Sequence, residues 1–396
     1  MNTKFKPFMY LSLLIMVLMG SIDAETPSDI QERYKDQSDL RGMNMSGQNL
    51  AGVHLNQSDM MGCDLNGANL SGAYLISAWI NDANLTAASL HNADLTGAFL
   101  NNANLCRADL SNAILIGAKI SKSRLTNSKL VKADLTDADL TDADLTDADL
   151  TDARLFRADL SGAIMRNMYL YGCNMIGAHI NWADLGGAFL SRSQLSRAEL
   201  YGANLSGADM SNADFTRAYI MRANLAGSNL DSASMTYADL TEADLSGASL
   251  SRTGLQYADL TRANLTGADC SDADMESIRL SGAIMRNARL DRIVLHKTDF
   301  QGLDLAGASM NKAVLTTVYL PNANLSHADL QGASMDHVVF TGADLSGANL
   351  LDITYDRFSL GSLAGAKLDG ALMNEKMKSD LKMLSISASG DATMWD

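Results

Sequence analysis

Between Lys132 and Arg154 the chain reads KADLTDADLTDADLTDADLTDAR, one five-residue unit, A-D-L-T-D, repeated almost without variation. With the frame set on Leu135 and extended both ways, every fifth residue from Leu40 to Leu360 is apolar. That makes 65 positions without an insertion, 46 of them Leu. Two residues before each there is usually a small residue, Ala at 44 of the 65. Chance does not hold one frame so long, so the period itself carries the architecture.

A period of five fits neither common element. On an α-helix five residues advance about 500°, so the leucines would spiral round the axis and make no face. On one continuous strand an odd period puts successive leucines on opposite sides. The pattern works if each unit is a short extended piece followed by a bend. Ala133 and Leu135 then point inward, Asp134 points out, and Thr136 and Asp137 turn the chain. The turn slots hold mostly Ser, Thr, Asn, Asp and Gly, residues suited to bends. Repetition gives a solenoid in which each coil buries its apolar face on the next.

These residues resemble the pentapeptide repeat family, whose motif is A-(D/N)-L-X-X, over roughly Ser38 to Leu360. The resemblance implies an all-β solenoid, a right-handed quadrilateral β-helix with four pentapeptides, or twenty residues, per coil. The sequence points to twenty independently. Oversized residues at the small slot, Ile278, Thr298, Val318, Val338 and Phe358, recur at that spacing and are expected to stack in one inward column. About sixteen coils at roughly 4.8 Å each predict a rod of about 75–80 Å. The small slot coarsens from Ile278 onward, so the cylinder is expected to be wider or less square there.

The ends depart from the repeat. Lys4 and Lys6 precede an apolar run from Phe8 to Met19, which reads as a secretory signal peptide over 1–24 cleaved after Ala24. The alternative is an uncleaved N-terminal anchor. Export to the periplasm or the medium is therefore expected, with no membrane span after signal removal. Residues 25–37 read as an N-terminal cap segment with Ser28 capping a short helix, and 38–373 as the β-helix. Residues 374–396 read as a C-terminal cap helix and tail, with Asn374 as its N-cap.

The four cysteines, Cys63, Cys106, Cys173 and Cys270, are scattered. The closest two lie about two coils, or roughly 10 Å, apart, too far for a disulfide. The six histidines fall in outward or turn slots, and His296 and His337 stand too far apart to share a metal. No nucleophile elbow or phosphate loop is present. No enzyme activity, cofactor or metal is expected.

The formal net charge is −15, so a basic surface for direct nucleic-acid binding is not expected. The acidic run has a specific explanation. At a spacing of twenty, Lys119, Lys122, Arg124, Lys129 and Lys132 lie beneath Asp139, Asp142, Asp144, Asp149 and Asp152. Arg154 and Arg157 lie above Asp134 and Asp137. An ion-pair ladder is expected, each exposed pair contributing only about 0–1 kcal/mol.

The remaining function is binding. The expected partner is an unidentified protein or cell-surface component. The resemblance also implies two alternatives: a DNA mimic that binds DNA gyrase, or a secreted effector. The candidate binding residues share one side of the coil: Trp79, Phe99, His179, Trp182, Tyr201 and Tyr219. Trp79 and Phe99 are one coil apart and are expected to stack.

Overall fold

The computed structural model describes residues 39–363 and 365–384. The signal-peptide and N-terminal cap segments, and the tail from Ser385, lie outside the described residues.

Parallel bridges join residue i to residue i+20 from Asp39↔Asp59 to Asp329↔Asn349. Each coil therefore docks on the next in fixed register, four bridges and four turns to a coil. The unit Asp134–Ala138 shows why five residues suffice. Asp134 N donates to Ala113 O (2.9 Å) in the coil before, and Leu135 N to Arg154 O (2.7 Å) in the coil after. Asp137 N donates to Phe156 O (2.9 Å), and Ala138 N closes the turn on Leu135 O (3.0 Å). The one N–H left over, on Thr136, donates to Asp134 Oδ1 (3.1 Å). Every backbone donor of the unit is satisfied, as buried or half-buried backbone requires. The Asp or Asn of the motif is thus a turn cap. The residue two places after each Leu sits in the left-handed region, as at Asp137 (φ 57°) and Asp142 (φ 57°). Asp, Asn and Gly tolerate that conformation best.

The Leu and Ala slots line a continuous buried core from Leu40 to Leu368. Ile278, Thr298, Val318 and Val338 are buried in one column. At Thr298, Val318 and Val338 the turn loses its closing backbone bond although Lys297, Thr317 and His337 stay left-handed. The bridge there lengthens into three-residue strands at β1 (Val294–His296), β2 (Val314–Thr316) and β3 (Ser334–Asp336), followed by β4 (Thr354–Tyr355). They form a parallel sheet in the order β1-β2-β3-β4.

One neighbouring seam is splayed. Leu255, Tyr257 and Leu260 donate normally to Asp274, Glu276 and Arg279, and Phe300 donates to Tyr319. Between these coils the Asp274↔Val294 bridge survives, but Ser277, Leu280 and Gly282 do not reach the carbonyls of His296, Asp299 and Gln301. Ile278, Ile293 and Thr298 all fill small slots here, and their bulk holds the coils apart. An open crevice results, lined by Asp272, Glu276, Arg292 and His296.

The frame ends earlier than the period implies. Phe358 and Leu360 still fall on the five-residue grid, yet both lie in α1 (Arg357–Ser362), and Phe358 is 53% exposed rather than inward. Asp356 caps α1 by accepting from Ser359 N (2.8 Å). A local cap outcompetes the repeat at this point. The next bridges, Asp344↔Lys367 and Asn349↔Leu372, have stepped by 23. Two serines of α1 replace the missing backbone partners. Val338 N donates to Ser359 Oγ (2.9 Å) and Phe340 N to Ser362 Oγ (3.1 Å).

Helix α2 (Glu375–Met383), capped by Asn374, buries Met377 and Leu381 on the last coil. Tyr355 Oη donates to Asp380 Oδ2 (2.8 Å) and pins it there.

Candidate protein-binding surface

The bridge register places Trp79, Phe99, His179 and Tyr219 in one outward column, with Trp182 and Tyr201 at the adjoining corner. The column is not one patch. Lys119, Asp139 and Asp159 lie between Phe99 and His179, which are four coils, or roughly 19 Å, apart. Trp79 and Phe99 form a separate pair. Their rings meet edge to face (6.2 Å, 76°) instead of stacking. The ring quadrupole favours that geometry once the side chains can tilt.

The other four come together. Trp182 occupies a left-handed turn slot (φ 62°) and is 65% exposed, the highest value of any aromatic in the described chain. Its ring lies across the bare backbone of Gly202 and meets Tyr201 edge-on (5.0 Å, 82°). Tyr201 N donates to Asn181 Oδ1 (2.9 Å). Arg222 donates from Nη1 to Tyr201 Oη (2.8 Å) and from Nε to Glu242 Oε2 (2.7 Å), and its guanidinium lies 5.8 Å from the Tyr201 ring. Hydrogen bonding to Glu242 and Tyr201 pushes the Arg222 pKa up, and the bond from Arg222 holds Glu242 below its usual range.

On the face beside this corner, His179 Nδ1 lies 3.0 Å from Glu199 Oε2, which also accepts from Asn181 Nδ2 (3.1 Å). The bonds from His179 and Asn181 lower the Glu199 pKa. Tyr219 stands directly above Glu199. The result is a Trp/Tyr/Arg corner with a charged, hydrogen-bonded base.

The next side is chemically closed. Asn204 Nδ2 donates to Asp184 Oδ1 (2.8 Å) and Asn224 Nδ2 to Asn204 Oδ1 (3.1 Å), while the same oxygens accept from Gly186 N and Ser206 N. Its polar atoms are spent on each other. Other aromatics lie outside the six candidates. Tyr169–Phe189 (5.1 Å, 11°) and Tyr237–Tyr257 (4.8 Å, 9°) stack face to face at a spacing of twenty, a signal readable from sequence.

The acidic belt has the expected register, but the ladder is only partly closed. Arg157 grips Asp137 with two bonds (2.8 and 2.9 Å), and Lys119–Asp139 (3.8 Å) and Arg154–Asp134 (3.7 Å) are in reach. The pairs of Asp142, Asp144, Asp149 and Asp152 do not close among the described residues. Asp144 and Asp149 accept from the backbone and hydroxyl of Thr146 and Thr151, as Asp134 and Asp139 do from Thr136 and Thr141. Asp142 and Asp152 lean instead over Gly162 and Gly172 of the next coil. Cys63, Cys173 and Cys270 are buried and Cys106 half-buried, all as free thiols. Burial pushes the Cys63 thiol up to about 11.

The family model for pentapeptide repeats matches in successive segments from 36–67 to 320–350. Among solved structures, HetL, a pentapeptide repeat protein involved in heterocyst differentiation regulation from the cyanobacterium Nostoc sp. strain PCC 7120, is 27% identical. That match covers 66% of this chain and 98% of HetL, with a TM-score of 0.24. A pentapeptide repeat protein from the Arabidopsis thaliana thylakoid lumen is 28% identical over 31% of this chain and 69% of its own (TM-score 0.12). Full-length QnrB1, a plasmid-mediated fluoroquinolone resistance protein, is 18% identical over 69% of this chain and 96% of its own (TM-score 0.26). At such TM-scores these superpositions add nothing to the family match. No curated protein matches the chain significantly. Among the described residues no helix is long and apolar enough to cross a membrane.

Proposed function

The chain belongs to the pentapeptide repeat family, and from that premise we propose that it is a non-enzymatic scaffold that binds another protein through the corner of Trp182, Tyr201, Tyr219 and Arg222. The coil stack is taken as the right-handed quadrilateral β-helix that the family resemblance implies. One observation carries the binding surface. Trp, Tyr and Arg, the residue types enriched at interface hot spots, meet at one exposed corner, beside a side whose polar groups are already paired. The rigid stack holds them in place, so little conformational entropy is lost on docking.

Replacing Trp182, Tyr201 and Tyr219 together by Ser tests this. Capture of the cognate protein should fall while melting changes little. Replacing Asn204, Asn224 and Asp244 on the adjoining side should leave capture intact. Loss of capture only in the second variant, or global unfolding of the first, makes the aromatics structural. The N-terminal segment supports export to the periplasm or medium as part of the same reading, and secretion as an effector is the variant of it that a two-step route would allow. Mass spectrometry of the native protein should find it beginning near Glu25. A chain retaining Met1 in the cytoplasm would overturn the export.

A further inference from the structure

The coil frame gives way to helix α1 at one corner, and three ligand-type side chains converge there. Asp336 ends β3, His337 follows in the left-handed region (φ 55°), and Asp356 lies directly above at the start of α1. His337 Nδ1 stands 2.8 Å from Asp336 Oδ1 and 3.4 Å from Asp356 Oδ2, and the three donor atoms lie within 4.8 Å of one another. A cation bonded at about 2.0–2.2 Å holds neighbouring ligand atoms about 3 Å apart, and the two separations from His337 Nδ1 match that spacing.

The trio is also held. Asp356 Oδ1 is occupied by Ser359 N (2.8 Å) and His337 N (3.3 Å), so the carboxylate cannot rotate and Oδ2 is left facing the imidazole. The His337 ring lies nearly parallel to Phe358 (5.4 Å, 23°), which fixes its plane. Bonds that orient first ligands in this way are what metal sites use to set geometry. Imidazole with carboxylates suits zinc and its neighbours, whereas calcium prefers an all-oxygen shell. The outer side is open to solvent, leaving room for water ligands.

We propose that Asp336, His337 and Asp356 form a zinc-class divalent cation site that clamps the first turn of α1 to the corner of the coil beneath it. Such a clamp would bind where the repeat ends and secure the C-terminal cap. It is independent of the protein-binding corner, which lies on coils far toward the N-terminus.

The full chain, freed of metal with a chelator and then titrated calorimetrically with zinc chloride, tests the site. One saturable equivalent is expected, with a rise in melting temperature, and no response to calcium at the same concentration. Zinc affinity should fall about tenfold or more in His337→Ala and in Asp356→Asn. Asn is itself a good N-cap, so Asp356→Asn keeps α1 folded even if His337→Ala loosens the cap. Failure to saturate at submillimolar zinc overturns the proposal. So does affinity unchanged in the Asp356→Asn variant, or calcium binding as tightly as zinc.

Discussion

The indole of Trp182 covers the α-carbon of Gly202 in the next coil, in space that any Cβ would fill. Gly202 is itself in the left-handed region (φ 64°), so two constraints favour glycine there. Gly202→Ala should lower stability by about 1–2 kcal/mol through backbone strain alone and displace the ring from Tyr201. Urea unfolding reads the first and indole fluorescence the second. An unchanged emission spectrum would mean that Trp182 does not rest on Gly202 in solution.

The motif Asp caps its own turn. Asp139 Oδ1 accepts from Thr141 N (3.2 Å) and Oγ1 (2.6 Å). Asp139→Ala should cost about 0.5–2 kcal/mol, the range for loss of a comparable side-chain cap. Asp142→Gly, at the left-handed slot of the same unit, should be close to neutral. Equal losses at both positions would refute the division of labour within the unit.

Stability should fall in acid. At Asp184 burial raises the pKa but is outweighed by bonds from Arg166, Gly186 N and Asn204, so the folded value is lowered. At Asp214 burial is likewise outweighed by Ser196 and Thr216. A depressed carboxylate contributes stability above its unfolded value, near 4, and loses it as pH falls through the folded value. The melting temperature should hold from neutral pH to about 5 and drop below about 4. Asp184→Asn keeps the ladder geometry and should flatten part of that drop. A pH profile identical to the parent's would show that Asp184 has no share in it.

The splayed seam should be visible as hydrogen exchange. The amides of Ser277, Leu280 and Gly282 have no coil partner, whereas Tyr257, Leu260 and Arg262 one coil below do. The first set should exchange faster by orders of magnitude, as local opening there needs no loss of ladder bonds. Uniform protection across both coils would mean that the seam closes in solution.

The repeat was legible because a five-residue period admits one regular arrangement, and its Leu and Ala slots are the buried ones. The three-residue slip of the frame after Leu360 was legible as well, and the bridges to Lys367 and Leu372 step by 23, but the helix that produces the slip was not. Phe358 and Leu360 keep the period, and only the pairing of Asp356 with Ser359 reveals a competing helix start. Asp356 keeps the twenty-residue register above Asp336, but that its carboxylate would meet His337 could not be read. The register of the acidic belt could be read, but not which of its carboxylates would close on the Lys or Arg one coil away. Columns could likewise be assigned to Trp182 and Tyr201, while their edge-on contact depends on side-chain rotation that no spacing encodes.

Because each unit satisfies its backbone within itself and its two neighbours, the stack behaves as a ruler. Duplicating or deleting one twenty-residue coil between Glu242 and Ile278 would leave both ends and the Trp182 corner intact. It would change only the distance from the Trp182 corner to the α2 cap, in a step of about 4.8 Å. Separation along the axis is therefore quantised and heritable independently of surface chemistry. A lineage can alter how far apart two surfaces stand without altering either one.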